Sequence, residues 1–217
     1  MRTPPADLCD AAVAAAVAAH WSISSTSIDY AAVGFGSHHW LLTGQSGRWF
    51  VTADAVADSP ARMAELAAAL ATAHALRHRC GLEFVVAPHL NADRALLSVS
   101  GRYALAVYPY LERSADAPAD KGQLLSMITA VHAATSQVAG LVMVDDLTLP
   151  DRAALEAVLA GAGPDLSCGP FAAHFATLVR PHRWQLGPAL DRHDVVAAAL
   201  GAERSGWVAT PWGSQTQ

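Results

Sequence analysis

The sequence predicts an α+β fold: an antiparallel sheet plus one long helix in the first half, then an all-helical second half. Three observations carry this reading. Short β-branched and aromatic runs, separated by glycine-containing turns, recur up to Glu112. One unbroken helical stretch, residues 61–79, lies among them. Beyond Arg113 no strand-like run recurs and alanine-rich helical segments take over. The chain has 217 residues, 53% hydrophobic and 15% charged, with a net charge of −5. That is enough apolar material for a core, and it excludes a disordered tail or a nucleic-acid arm. The acidic balance gives no pull toward nucleic acid or anionic membranes.

Taken in order, residues 7–20 read as an alanine-rich helix capped by an acidic residue. Residues 22–30, rich in Ser, Thr and Ile, are extended. Trp40-Leu41-Leu42-Thr43 is a strand, Gly44-Gln45-Ser46-Gly47 a turn, and Arg48-Trp49-Phe50-Val51-Thr52 a second strand. Ser59 caps and Pro60 opens the helix over 61–79, which Cys80-Gly81 stops. Residues 82–87 form a β-type run closed by Pro88. Residues 95–100 and 103–108, joined by Gly101-Arg102, form a hairpin that runs into Tyr108-Pro109-Tyr110-Leu111-Glu112. A polar linker covers 113–121. Helices follow over 123–135, with Leu124, Met127, Ile128 and Val131 on one side, and over 150–160, 171–178 and 191–202. The seam divides the chain into domains at 1–112 and 113–217.

The apolar run 11–19 follows Arg2, but Asp7 and Asp10 stand where a leader needs basic residues, and Pro4-Pro5 interrupts it. It is too short to span a bilayer, so an N-terminal helix and no membrane partner are expected. Cys9, Cys80 and Cys168 are three, far apart and without C-x-x-C spacing, which predicts reduced, buried thiols in a cytoplasmic protein and no metal site. Of 14 Lys+Arg, Lys121 is the sole lysine.

Gly34-x-Gly36 is the candidate ligand turn. A dinucleotide fingerprint needs a helix N-terminus directly after its glycines, to hold a pyrophosphate, and here a strand follows. A glycine-rich hairpin does something else: it lets backbone N–H groups approach phosphates from above. An isolated pair also fits an ordinary hairpin turn. His38-His39 are strand neighbours on opposite faces, so they do not share an ion. Tyr108 and Tyr110 fit a half-buried strand end equally well.

Taken together, Val33-Gly34-Phe35-Gly36-Ser37-His38-His39-Trp40 and Trp49-Phe50-Val51-Thr52 resemble the nucleotide-loop region of the aminoglycoside phosphotransferase family, above all its spectinomycin-phosphotransferase-like actinobacterial members. Tyr108-Pro109-Tyr110-Leu111-Glu112 is similar to that family's hinge, and His132-Ala133-Ala134-Thr135 to its helix end after the hinge. The resemblance implies a protein-kinase-like small lobe and ATP-dependent phosphorylation, with Mg2+, of a hydroxyl on an aminoglycoside-like small molecule. It implies that Gly34, Phe35, Gly36, Ser37 and His38 cover the nucleotide. Thr52 would stand at the phosphate-holding strand position, Glu65 at the helix glutamate, and Tyr108 and Tyr110 beside the adenine.

The chain departs from that pattern in three places. His39 stands where a third glycine belongs, and Thr52 where the lysine belongs, which leaves Glu65 without an obvious cationic partner. The catalytic loop, His-Gly-Asp or His-Gly-Glu followed by Asn, occurs nowhere. Gly206-Trp207-Val208-Ala209-Thr210 resembles the strand before that loop, but Pro211-Trp212-Gly213-Ser214 follows. Removing one C from codons CCN-TGG-GGN-TCN permits His-Gly-Asp, so the expectation is a phosphotransferase truncated by a one-base insertion near codon 211 and inactive as this chain. The alternative is a non-catalytic, pseudokinase-like nucleotide-binding or protein-interaction module. Helix faces left unpaired predict self-association.

Overall fold

The structure, a computed structural model, describes residues 3–34, 36–56, 59–112, 120–161, 169–202 and 208–209. Phe35, most of the linker, Cys168 and the segments 203–207 and 210–217 lie outside the described residues. The chain divides into two compact units, Met1–Met143 with Val208–Gln217, and Val144–Trp207.

The first unit is built on a five-stranded antiparallel sheet: β1 (Ser25–Tyr30), β2 (His38–Gly44), β3 (Gly47–Ala55), β4 (Ser98–Ser100) and β5 (Tyr103–Pro109), in the order β1-β2-β3-β5-β4. The two-residue turn at Gln45-Ser46 pairs Gly44 with Gly47, and this sets the β2–β3 register, with His39 opposite Thr52 and Leu41 opposite Phe50.

Strand alternation gives the sheet two faces. One is closed by α1 (Asp10–Trp21), whose Val13, Val17 and Trp21, one turn apart, meet Trp40, Leu42, Val51, Ala53, Tyr103, Leu105 and Val107. The acidic cap expected for α1 is absent: Cys9 is the N-cap and makes no side-chain bond. The nearby acids tie the helix region to the sheet instead. Asp10 Oδ1 accepts from Trp40 Nε1 at 2.8 Å, and Asp7 Oδ1 accepts from the Tyr103 hydroxyl at 2.7 Å. Both bonds bury polar ends of aromatic rings that would otherwise be orphaned in an apolar layer.

Helix α2 (Pro60–His78) starts as its sequence dictates, with Ser59 Oγ accepting from Arg62 N at 3.2 Å and Pro60 in the first turn. Its C-terminal half packs Ala75 and Leu76 against Val131 of α3 (Lys121–Ala133) and Val138 of α4 (Thr135–Val138) in a second core. This core explains why the expected strand at 82–87 does not form. Leu82 and Val85 join it, Val85 N bonds Leu82 O at 3.0 Å, and Arg77 donates to the carbonyls of Glu83 and Val85. A run whose carbonyls are held by a helix arginine has no ladder to offer. Three further expectations change. Cys9 is exposed, and Cys80, packed at the margin of the second core, is half-buried rather than buried. Lys121 opens α3 rather than lying in the linker, since Asp120 Oδ1 accepts from Gly122 N and caps the helix there. Of the expected apolar side of that helix only Val131 is buried, while Leu124 stays exposed.

The second unit holds α5 (Arg152–Leu159), α6 (Ala172–Val179), a short 3-10 turn (Arg180–His182) and α7 (Arg183–Ala202). α7 begins eight residues before its expected start and carries Pro188 inside it, where the ring removes one i→i−4 hydrogen bond. Arg152 joins α5 to α7 through Asp194 and bonds Glu156 on its own helix. No helix among the described residues is long and apolar enough to cross a membrane.

Candidate functional site

The face of the sheet turned away from α1 carries a cleft of about 550 Å³, lined by Ala31, Val33, Leu41, Phe50, Thr52, Val86 and residues 108–111. Its floor follows from the register. Leu41, Phe50 and Tyr108 form one cross-strand row, and His39, Thr52 and Ala106 the next. Asp54, two residues beyond Thr52 on the same face, sits opposite Ala104 and accepts a hydrogen bond from Ser37 Oγ at 2.6 Å. The rows therefore run from the hinge end at Tyr108–Leu111 to the glycine-turn end at Ser37 and Asp54.

The turn adopts the backbone that its glycines permit: φ is +72° at Gly34 and +84° at Gly36. His39 fills the space behind it. Its Nδ1 is 2.7 Å from the Val33 carbonyl, its ring stacks on Phe50 at 5.1 Å, and a Cβ at Gly34 would meet its Cε1 at 3.0 Å. Burial pushes the His39 imidazole below its ordinary range, with the Val33 carbonyl and Asp54 acting against that. At neutral pH it is an uncharged wedge.

At the hinge end Tyr110 N donates to Arg48 O at 3.1 Å, and the Arg48 guanidinium lies 3.9 Å over the Tyr110 ring. Tyr108 is half-buried, and desolvation pushes its phenol up to about 12, with Asp54 adding to the shift and the Thr52 hydroxyl opposing it.

Of the residues singled out from sequence, Thr52, Tyr108 and Tyr110 meet in this cleft, and Gly34, Gly36 and Ser37 form the turn at its far end. His38 does not join them. It lies on the α1 side of the sheet with its Nδ1 3.0 Å from the Tyr30 hydroxyl, among Tyr30, Trp40 and Tyr103. Glu65 is exposed on α2 and pairs with no cation among the described residues. Thr135, at the end of the helix motif, holds structure: its hydroxyl donates to His132 O at 2.6 Å and accepts from Ala209 N at 2.9 Å. Phe50, Leu41, His39 and Asp54 were not singled out as cleft residues, although their parity with Thr52 places them on its face.

Neither a family model nor a curated protein matches the sequence. Solved structures do match the fold. The chain superposes on spectinomycin phosphotransferase in complex with ADP and spectinomycin with a TM-score of 0.57 at 11% identity, covering 85% of this chain and 56% of that one. It superposes on the AMP-bound complex of the same enzyme with a TM-score of 0.53 at 10% identity, covering 86% and 58%. The chain has the fold of spectinomycin phosphotransferase, an aminoglycoside phosphotransferase. It spans a little over half the length of that enzyme. The kinase-like α+β architecture expected from the order of strands, glycine turn, long helix and hinge is the one present, with a turn segment in place of the strand at 82–87.

The chemistry of the cleft fits part of what a spectinomycin-phosphotransferase fold would hold. Aromatic and aliphatic walls suit a flat heterocycle. The lining residues include no cation. Among the described residues no group of three His, Cys, Asp or Glu side chains is placed to hold a metal ion. Among the described residues Mg2+ therefore has no fitted set of ligands in this cleft, and no phosphoryl-transfer step follows from them.

Proposed function

We propose that the cleft binds the base of a nucleoside or nucleotide, and that the 217 residues by themselves transfer no phosphate. The observation that carries this is the cleft itself: a largely apolar cavity of about 550 Å³ between the glycine turn and the hinge, floored by Phe50 and Thr52. In support, the enzyme that shares the fold was crystallised with ADP and with AMP. Pro109 has no N–H and the N–H of Tyr110 is already donated to Arg48 O, so neither of these two hinge residues offers a backbone donor to a base edge. Residues 1–112 would then form the ligand-binding side and residues from 113 onward the helical part.

ATP and Mg2+ belong to this reading through the sequence resemblance alone, and a hydroxylated, aminoglycoside-like acceptor through that resemblance and the spectinomycin bound to the fold neighbour. Transfer relies on positioned charge. Thr52 offers a hydroxyl and no charge, and the sequence contains no His-Gly-Asp or His-Gly-Glu loop. The test has two arms. Adenosine should raise the unfolding temperature of the chain, and Leu41→Trp, which fills the slot, should abolish the rise. Incubation with ATP, Mg2+ and spectinomycin should give no protein-dependent phosphorylation; turnover would refute the second half of the proposal, and indifference to adenosine the first.

A second reading, a protein-interaction module in a cytoplasmic setting, is favoured by one feature. In the second unit Phe171, Trp184 and Val195 are 77%, 70% and 71% exposed. Apolar exposure on that scale predicts self-association. Sedimentation as a monomer at all concentrations would refute it.

A further inference from the structure

We propose that the cleft selects an uncharged, nucleoside-class ligand over a nucleoside polyphosphate, because His39 and Asp54 occupy the end where phosphates would extend. The inference rests on the reading of the cleft as a base pocket and adds what that pocket excludes.

A base held against the hinge row, Leu41, Phe50 and Tyr108, directs its substituent along the floor toward Thr52 and the glycine turn. At that end three groups that could receive phosphate are already committed. Ser37 Oγ donates to Asp54. Ala31 N donates to His39 O at 2.9 Å, and Val33 N donates to Ala31 O at 2.8 Å. The His39 ring stands directly against Gly34, locked between the Val33 carbonyl and Phe50, and takes up room beside the turn.

Charge acts in the same direction. A phosphate chain is stabilised by cations aimed at it, and none of the lining residues is one. Beside the His39 imidazole, that end carries the Asp54 carboxylate, and its field reaches the floor of the cleft, where it raises the Tyr108 phenol. Each added phosphate meets that field at short range, inside the Debye length at physiological salt. A ribose has no such conflict: Thr52 and Asp54 are both suited to hydroxyl groups.

Titration calorimetry of the 217-residue chain with adenosine, ADP and ATP, each with and without Mg2+, tests this. Adenosine should bind at least about tenfold tighter than ATP, with ADP between them. Raising the salt concentration should tighten ATP, by screening a repulsion, and this readout needs no variant. Asp54→Asn, which keeps an acceptor for Ser37, should narrow the gap between adenosine and ATP. ATP binding as tightly as adenosine, in either metal condition, or weakening with salt, would overturn the inference while leaving the base pocket intact. Failure of all three ligands to bind would overturn the base pocket and the inference with it.

Discussion

Gly34 and Gly36 stand two residues apart, both with positive φ, and the structure assigns them unequal costs when a methyl group is added. The backbone penalty is shared: a left-handed conformation costs an alanine about 1–2 kcal/mol. A gain of about 0.4–1 kcal/mol from stiffening the unfolded chain offsets part of it at both positions. The surroundings differ. A Cβ at Gly36 meets nothing within 4 Å, whereas at Gly34 it lies 3.0 Å from His39 Cε1. His39 cannot retreat freely, because it is bonded to Val33 O at 2.7 Å and stacked on Phe50. Loosening that bond costs a further ~0.5–1.5 kcal/mol. Gly34→Ala should therefore destabilise the chain by about 1 kcal/mol more than Gly36→Ala. Urea unfolding followed by tryptophan fluorescence measures both. In a His39→Ala background the difference should disappear, since the obstacle is gone. Equal costs in the native background, or a difference that survives His39→Ala, would refute the placement of His39 behind the turn.

Two predictions concern titration. Burial holds the imidazoles of His38 and His39 below their ordinary value of 6.5. A depressed pKa in the folded state gives stability that is present above that value and lost as pH falls through the folded pKa. The urea midpoint should therefore drop between pH 7 and pH 5, and His39→Gln should flatten the drop; Asp7, held low chiefly by Tyr103, contributes its loss only below 3.8. A midpoint independent of pH in that window would contradict the burial of both rings. The Tyr108 phenol, raised from 10.0 to about 12, works in the opposite direction: its contribution is present below 10 and lost as pH rises toward 12. Tyrosinate absorbance of the native chain midway between those values should be the same in Tyr108→Phe, and a deficit in the variant would show that Tyr108 is exposed.

Much of the sheet was legible because its signals are local. The turn at Gln45-Ser46 fixes the hairpin, and counting back from it already places His39 opposite Thr52 and Ser37 opposite Asp54. That count distinguishes the two histidines, yet the glycine-turn pattern alone groups His38 with the ligand residues. Asp54 was legible by the same parity with Thr52, and it escapes notice because a search for a lysine passes over an acid. Helix α2 was legible from its local signals: Ser59-Pro60 starts it, and Gly81, at positive φ just past its Arg79 C-cap, turns the chain away. The segment 82–87 was not, since Leu82 and Val85 are drawn into a core completed by Val131 and Val138, some fifty residues away in sequence. The same holds for Asp7 and Asp10. Their sequence position suggests a helix cap, and their role depends on Tyr103 and Trp40, which only the folded sheet brings near.

The central claim is that a flat base enters between the glycine turn and the hinge. The most direct measurement is a set of amide nitrogen–proton NMR spectra of the labelled chain titrated with adenosine. The account predicts shifts concentrated at Ala31, Val33, Leu41, Phe50, Thr52 and the hinge amides of Tyr108, Tyr110 and Leu111, with the α1 side of the sheet unmoved. Shifts centred elsewhere, or none at saturating adenosine, would contradict it.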